Sequence, residues 1–406
     1  MQTPWAHRYA YRTQRMKGSA IRELLNITSD PEIISFGGGL PAPDIFPIEQ
    51  IRKACNSMLD NEKLARIALQ YGSTEGYKPL REMIASLTRR YGINIQPNNI
   101  LITTGSQQAL DLIGKVFINS GDHILVESPT YLGALQAWNA YGAQYVTVPS
   151  DENGLNTDYL EEALRTGPKF MYVLPNFQNP TGVTIPLERR EKIVELATRY
   201  GVPIIEDDPY GQLRFEGEHI APIEVLDSRA RRDNGHYTGN VIYLSTFSKI
   251  LTPGFRLAWV IAPEEVITKL VQAKQGTDLH TPTFNQVLAY EIAKDGFIDQ
   301  HVKTICNVYR VRRDVMLDAL EEHMPAGVKW THPKGGLFLW TTMPEGFDSA
   351  EIFKLAVKEK VAFVPGEPFH PNGGGKNTMR LNFSCEKPDT INEGIARLGV
   401  VLKKLI

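Results

Sequence analysis

Several short polar segments of this 406-residue chain directly follow apolar runs, and their residue types could do chemistry. Thr104-Gly105-Ser106-Gln107-Gln108 follows Ile100–Thr103 and opens a helical pattern, so it offers free backbone N–H groups, a hydroxyl and a positive dipole end to an anion. The same residues also read as an ordinary helix cap. Pro175-Asn176-Phe177-Gln178-Asn179-Pro180-Thr181-Gly182 follows Phe170–Leu174 and reads as an Asn-Pro turn. After Ile205, Glu206-Asp207-Asp208-Pro209-Tyr210 carries more acid than a surface turn needs, which suits a metal site or general acid–base work. After Leu244 comes Ser245-Thr246-Phe247-Ser248-Lys249, with Arg256 seven residues on; alone, such a lysine is an ordinary solvated group.

The elements that must position these residues alternate in kind. Apolar runs at 100–103, 123–126, 145–148, 170–174, 202–205, 241–244 and 257–261 are separated by helical patterns, among them one from Ser106, one from Tyr131 and one over Leu187–Tyr200. Continuous apolar strands of this kind imply an α/β fold whose mainly parallel sheet is covered on both faces. After about residue 280 a long helical region reaches roughly Glu322. Strands at 328–330, 337–340, 361–364 and 379–383 then predict a smaller α+β domain. In an open parallel sheet, ligands bind beyond the carboxyl ends of the strands, where all four polar segments fall.

Composition removes other classes. With 44 Lys plus Arg against 46 Asp plus Glu, no global field attracts nucleic acid or an anionic membrane, and small molecules are the expected partners. No apolar run approaches the ~18 residues of a spanning helix, and no apolar signal core opens the chain. Three scattered cysteines, Cys55, Cys306 and Cys385, form neither a disulfide framework nor a metal spacing and fit a reducing cytoplasm. The nine histidines show no i, i+4 pair and no Gly-x-Ser-x-Gly occurs, so no metal is expected and no serine hydrolase is indicated. Residues 1–22 are basic, as in a transit peptide. Arg8, Arg12 and Arg15, spaced along one helical face, and the apolar Ile21-Leu24-Leu25 continuation favour a basic arm instead. Pro371–Asn377 lacks the spacing of a phosphate loop and reads as a flexible turn.

A lysine, an aspartate, an asparagine, a tyrosine and a phosphate seat at one sheet edge meet the needs of pyridoxal phosphate. It requires an amine for a Schiff base, an acid for its ring nitrogen, donors for its phenolate and a cradle for its phosphate. Asn179-Pro180-Thr181-Gly182, Asp207-Asp208-Pro209-Tyr210 and Ser245–Lys249 with Arg256 resemble, in order and gaps, the signatures of fold-type I aminotransferases. Residues 18–43, Leu69–Gly72, Thr104–Asp111 and Asp278–Pro282 extend the likeness. They narrow it to the subgroup holding bacterial α-aminoadipate and mammalian kynurenine/aminoadipate aminotransferases.

The resemblance implies an aspartate-aminotransferase-like fold: an arm over 1–45 contributing to the small domain and the substrate site, a large cofactor domain over 46–285 and a small domain over 286–406. It implies that Lys249 is both cofactor anchor and base, that Asp207 keeps the pyridine nitrogen protonated and that Asp208 is structural. It places Asn179 and Tyr210 on the phenolate oxygen and Tyr131 on the ring face. Ser106, the backbone N–H of Gln107, Ser248 and Arg256 would hold the phosphate, joined by Tyr71 from the neighbouring subunit of a homodimer; Thr246 stands where many relatives have serine. Arg380 would take the substrate α-carboxylate in its planar fork, helped by Asn179 and the backbone at Gly39.

Arg22 matches a mobile arginine that meets a distal carboxylate, and Ser19 would line the same pocket. The implied reaction moves an amino group from 2-aminoadipate, an aromatic or branched-chain amino acid or glutamate to 2-oxoglutarate. A lyase or decarboxylase would use the same cofactor, and a ligand-sensing regulator would need a DNA-binding module ahead of the roughly 30 residues that precede Ser35.

Overall fold

In the computed structural model, residues 4–16, 18, 30–89, 94–231 and 237–405 are described. Ile34–Ser35 is β1; then follow β2 (Ile100–Thr103), β3 (His123–Ser128), β4 (Gln144–Asp151), β5 (Gly154–Leu155), β6 (Met171–Val173), β7 (Ile204–Asp207), β8 (Val241–Thr246) and β9 (Ala258–Ile261). Strands β2 to β9 form one sheet in the order β2-β9-β8-β7-β6-β3-β4-β5. The pairs β8–β7, β7–β6, β6–β3 and β3–β4 are parallel. β9 runs antiparallel to both its neighbours, and β5 antiparallel to β4.

The apolar runs are continuous because successive side chains enter opposite layers. Ile124, Val126, Tyr172, Ile205 and Ile242 join the core that contains Leu110, Ile113 and Trp138. Their neighbours Leu125, Met171, Val173, Ile204 and Val241 join the core under Leu160, Leu164, Ile193 and Leu196. Helix Leu187–Tyr200 ends on Gly201 at φ +64°, a left-handed position that favours glycine.

A second sheet orders β10 (Lys329–Trp330), β11 (Phe338–Thr342), β14 (Thr378–Asn382) and β13 (Val364–Pro365) as β10-β11-β14-β13, all antiparallel. β12 (Val361–Ala362) pairs instead with β1, which ties residues 34–41 to this sheet.

Three expectations are corrected. The described part of the basic N-terminal segment forms two short 3₁₀ turns, Trp5–His7 and Tyr11–Arg15, so Arg8, Arg12 and Arg15 share no continuous helix. The long helical region divides into Thr283–Ala293 and Phe297–His323 at Gly296, φ +79°. The run 361–364 serves two sheets as two short strands. Helices Ile48–Asp60, Glu62–Leu69 and Lys78–Arg89 have no counterpart in the strand-based reading. Among the described residues, no helix is long and apolar enough to cross a membrane.

Candidate active site

The segments that follow β2, β3, β6, β7 and β8 meet at one edge of the large sheet. Because β9 is antiparallel, the chain just before it, carrying Arg256, arrives at that same edge. With residues 39–41 and the second sheet these segments enclose a cavity of about 350 Å³. Twelve of the expected residues line it: Gly39, Ser106, Gln107, Tyr131, Asn179, Asp207, Tyr210, Thr246, Ser248, Lys249, Arg256 and Arg380.

Strand alternation sorts the three consecutive acids. Glu206 turns away and accepts the backbone N–H groups of Ile223 and Glu224, both at 2.8 Å, at the start of helix Ile223–Arg231. Asp208 accepts from Asn176 (3.0 Å), the Gly211 N–H (2.9 Å) and Tyr243 (3.2 Å). Asp207 alone lines the cavity. Tyr172 donates to its Oδ2 at 2.8 Å, while Oδ1 is buried without a partner. Burial pushes this carboxyl up to about 7, against the Tyr172 hydrogen bond and with a further push from Asp208. A protonated ring nitrogen beside Oδ1 would supply the missing partner.

Three cations face this one acid. Lys249 Nζ donates to the Gly39 carbonyl at 2.9 Å. Burial first, then the charges of Arg380 and Arg256, push its ammonium down to about 8. Below that value the uncharged, nucleophilic fraction rises about tenfold per pH unit. The rate at which the cofactor-free chain captures pyridoxal phosphate, trapped by borohydride reduction, should therefore climb to about pH 8 and level off. A rise continuing towards pH 10 contradicts this.

Arg380 is only 1 % exposed. Its Nη1 donates to Asn179 Oδ1 (2.8 Å) and its Nη2 to the Gly37 carbonyl (2.7 Å), and its Nε is buried without a partner. The Phe338 ring lies 4.3 Å and the Phe369 ring 5.3 Å from the guanidinium carbon. Burial lowers its pKa to about 10, and no described carboxylate pairs with it. A buried cation so placed lacks an anion, which a substrate carboxylate would provide.

The start of the helix Ser106–Phe117 is equally incomplete. Ser106 opens its helix with Oγ buried and unpartnered, after Gly105 at φ +79°. A Cβ on Gly105 would collide with the Arg256 guanidinium, so these two groups frame one space. Thr246 Oγ1 accepts the Ser248 N–H at 3.1 Å and lies 2.9 Å from the Leu257 carbonyl, so its hydroxyl shapes the turn that presents Ser248. Gln107 spends its side chain on the Gly133 carbonyl (2.8 Å), which leaves its backbone N–H as the group for an anion. These donors, the orphaned Asp207 oxygen and the lysine suit a ligand carrying a phosphate and a basic ring nitrogen. Pyridoxal phosphate fits that description.

Tyr71 does not line this cavity. It is 79 % exposed, edge-on to His280, in a separate depression with Arg66, Ser73 and Gln286. Ser19 and Arg22 lie outside the described residues. The Gly-rich segment from Pro371 is a turn with Gly373, Gly374 and Gly375 at positive φ, and it takes no part in the cavity. Tyr172 and Phe338 are additions: the polar tip of a tyrosine inside the 170–174 run is a readable signal, whereas nothing in the sequence marks Phe338. Among the described residues no group of His, Cys, Asp and Glu is placed to hold a metal.

Residues 32–398 match the family model described as aminotransferase class I and II. The chain is 49 % identical over 396 residues to aromatic-amino-acid aminotransferase 1 of Thermococcus litoralis, covering 96 % of this chain and 92 % of the relative. It is 46 % identical over 403 residues to 2-aminoadipate transaminase of Thermus thermophilus, covering 99 % and 98 %. The crystal structure of LysN, an α-aminoadipate aminotransferase from Thermus thermophilus complexed with N-(5'-phosphopyridoxyl)-L-leucine, superposes with a TM-score of 0.91 at 43 % identity, covering 99 % of both chains.

Proposed function

The chain belongs to the aminotransferase class I and II family, and from that premise we propose how its pocket exchanges amino groups and for which donors. It is a pyridoxal-phosphate-dependent transaminase. The carrying observation is that Ser106 Oγ, Asp207 Oδ1 and Arg380 Nε, all buried and unpartnered, line the same cavity as Lys249.

Ser106, the Gln107 N–H, Ser248 and Arg256 would hold the cofactor phosphate, with Thr246 fixing the Ser248 turn. Asp207, braced by Tyr172, would hold the ring nitrogen protonated; Tyr131 would cover the ring face; Asn179 and Tyr210 would serve the phenolate oxygen. The bound cofactor supplies a conjugated ring that delocalises the electron pair left on the substrate α-carbon. Arg380 grips the α-carboxylate, with Asn179 and the residue 37–39 backbone alongside, and so orients the α-C–H bond. Lys249 Nζ removes that proton.

The cavity is also lined by the apolar residues Leu40, Pro41, Pro209, Pro253 and Phe338, which suits aromatic and branched side chains. With Lys249, Arg256 and Arg380 committed, no described lining cation remains for a distal carboxylate. We assign that task to Arg22, with Ser19 beside it. The donors are then 2-aminoadipate, aromatic or branched-chain amino acids and glutamate, with 2-oxoglutarate as acceptor. The exposure of Tyr71 supports a homodimer in which each copy completes the other's phosphate seat. The pairing of β1 with β12 supports a division into an arm (1–45) joined to a small domain (286–406) and a large domain (46–285). Three free cysteines support a cytoplasmic setting.

Initial rates on 2-aminoadipate, glutamate, leucine and phenylalanine test the donor assignment in the parent and in Arg22→Ala. Arg22→Ala should lose about tenfold or more on the dicarboxylic donors alone, the scale of one charge-assisted contact. Equal loss on all four donors contradicts it.

A further inference from the structure

Beside the Gly105-Ser106 turn lies a polar cluster built on a buried lysine, none of whose members lines the cavity. Lys274, in helix Glu264–Gln275, is fully buried, with a side-chain exposure of 0 %. Its ammonium donates to Gln108 Oε1 (2.7 Å) and to Asp278 Oδ1 and Oδ2 (2.8 and 2.9 Å). Asp278 Oδ2 also accepts from Gln108 Nε2 (2.6 Å) and from Thr104 Oγ1 (2.9 Å). Gln108 Oε1 in turn accepts the Thr104 backbone N–H at 2.8 Å. The Thr104 N–H is therefore held by Gln108, and its hydroxyl lies within hydrogen-bond distance of both Asp278 Oδ2 and Thr281 Oγ1 (3.1 Å); the lysine fixes the first two of these three groups. Thr104 is the residue before Gly105 and Ser106, the turn against which the Arg256 guanidinium rests.

Burying the Lys274 ammonium is costly even beside Asp278, whose side chain is 28 % exposed, and an apolar pair of similar volume would often stabilise a fold as well. What an apolar pair could not do is fix the Thr104 backbone and hydroxyl together. A seat for a doubly charged phosphate needs its donors aimed before the ligand arrives, because an amide a few tenths of an ångström out of line forfeits much of a charge-assisted hydrogen bond.

We propose that Lys274, acting through Asp278, Gln108 and Thr104, is a positioning residue that sets the geometry of the phosphate-binding turn and thereby the selectivity for a phosphorylated cofactor. This rests on the reading of Ser106 and Arg256 as the phosphate seat. A general packing role predicts that loss of the cluster weakens every ligand alike; the positioning role predicts that it weakens only ligands carrying the phosphate.

The test measures dissociation constants of pyridoxal phosphate and of pyridoxal, which lacks the phosphate, for the cofactor-stripped full chain, with inorganic phosphate as competitor. Lys274→Met and the milder Thr104→Val are compared with the parent. Lys274→Met should weaken pyridoxal phosphate about tenfold or more, and Thr104→Val several-fold, while pyridoxal affinity stays within about twofold. Inorganic phosphate should compete less well in both variants. Equal weakening of both ligands, or none, overturns the proposal. Should Lys274→Met fail to fold, Thr104→Val, which keeps the side-chain shape and the ion pair, decides alone. A parent chain that does not prefer pyridoxal phosphate to pyridoxal overturns the seat assignment itself, a result separable from failure of Lys274 alone.

Discussion

The Lys249→Ala variant is expected to transaminate at least about a thousandfold more slowly than the parent while folding normally. The lysine makes one hydrogen bond, to the Gly39 carbonyl, and its ammonium sits in a buried cavity with two arginines, so the folded chain gains little from its charge. Because the folded-state pKa lies below the ordinary lysine value, the folded chain binds fewer protons than the unfolded chain between about pH 8 and the ordinary value near 10.5. The charge therefore costs stability at neutral pH, and that cost is relieved as pH rises through this window. Removing the amine should leave thermal stability at pH 7 equal or raised, and activity collapsed. Lys249→Arg should not restore activity, since a guanidinium stays protonated and cannot take the α-proton. A Lys249→Ala enzyme within tenfold of the parent would place the base elsewhere.

The second large effect is expected at Arg380. Arg380→Met removes the fork and leaves Asn179 Oδ1 and the Gly37 carbonyl without their donor, in a site sealed by Phe338 and Phe369. Losing a buried charge-assisted pair typically costs about 2–5 kcal/mol, so kcat/KM should fall by about two to three orders of magnitude for every amino donor, mostly through KM. Arg380→Lys should recover only part, because an ammonium cannot make two parallel bonds. Cofactor binding should persist in both, since Arg380 belongs to the substrate carboxylate and the phosphate has its own donors. A KM within threefold of the parent on all donors contradicts the assignment.

The sequence makes the sheet edge readable because its parallel strands are buried on both faces and so appear as unbroken apolar runs, whose polar successors must lie at the ligand-binding edge. Helix Leu187–Tyr200 carries its own boundary residues, Pro186 before it and Gly201 after it, whereas Ser106–Phe117 ends on Ile118 with no such mark. The family resemblance picks Asp207 out of Glu206, Asp207 and Asp208, and period-two alternation explains why its two neighbours point away from it. Arg256 is harder: its position depends on β9 reversing direction, which no local pattern encodes. Two-residue strands such as β1 and β5 are too short to show a period. The basic spacing of Arg8, Arg12 and Arg15 suggests a helix, yet the described residues around them form 3₁₀ turns, none of whose residues is buried. Phe338 and the Lys274 cluster depend on contacts between distant segments, and their residue types carry no signal of their own.

The most direct measurement is to reduce the cofactor-loaded enzyme with borohydride, digest it and locate the phosphopyridoxyl group by mass spectrometry. The group is expected on the peptide bearing Lys249 and, after prior incubation with an amino donor, on no protein lysine. Attachment to another lysine, or attachment unaffected by any amino acid, would contradict the site at its centre.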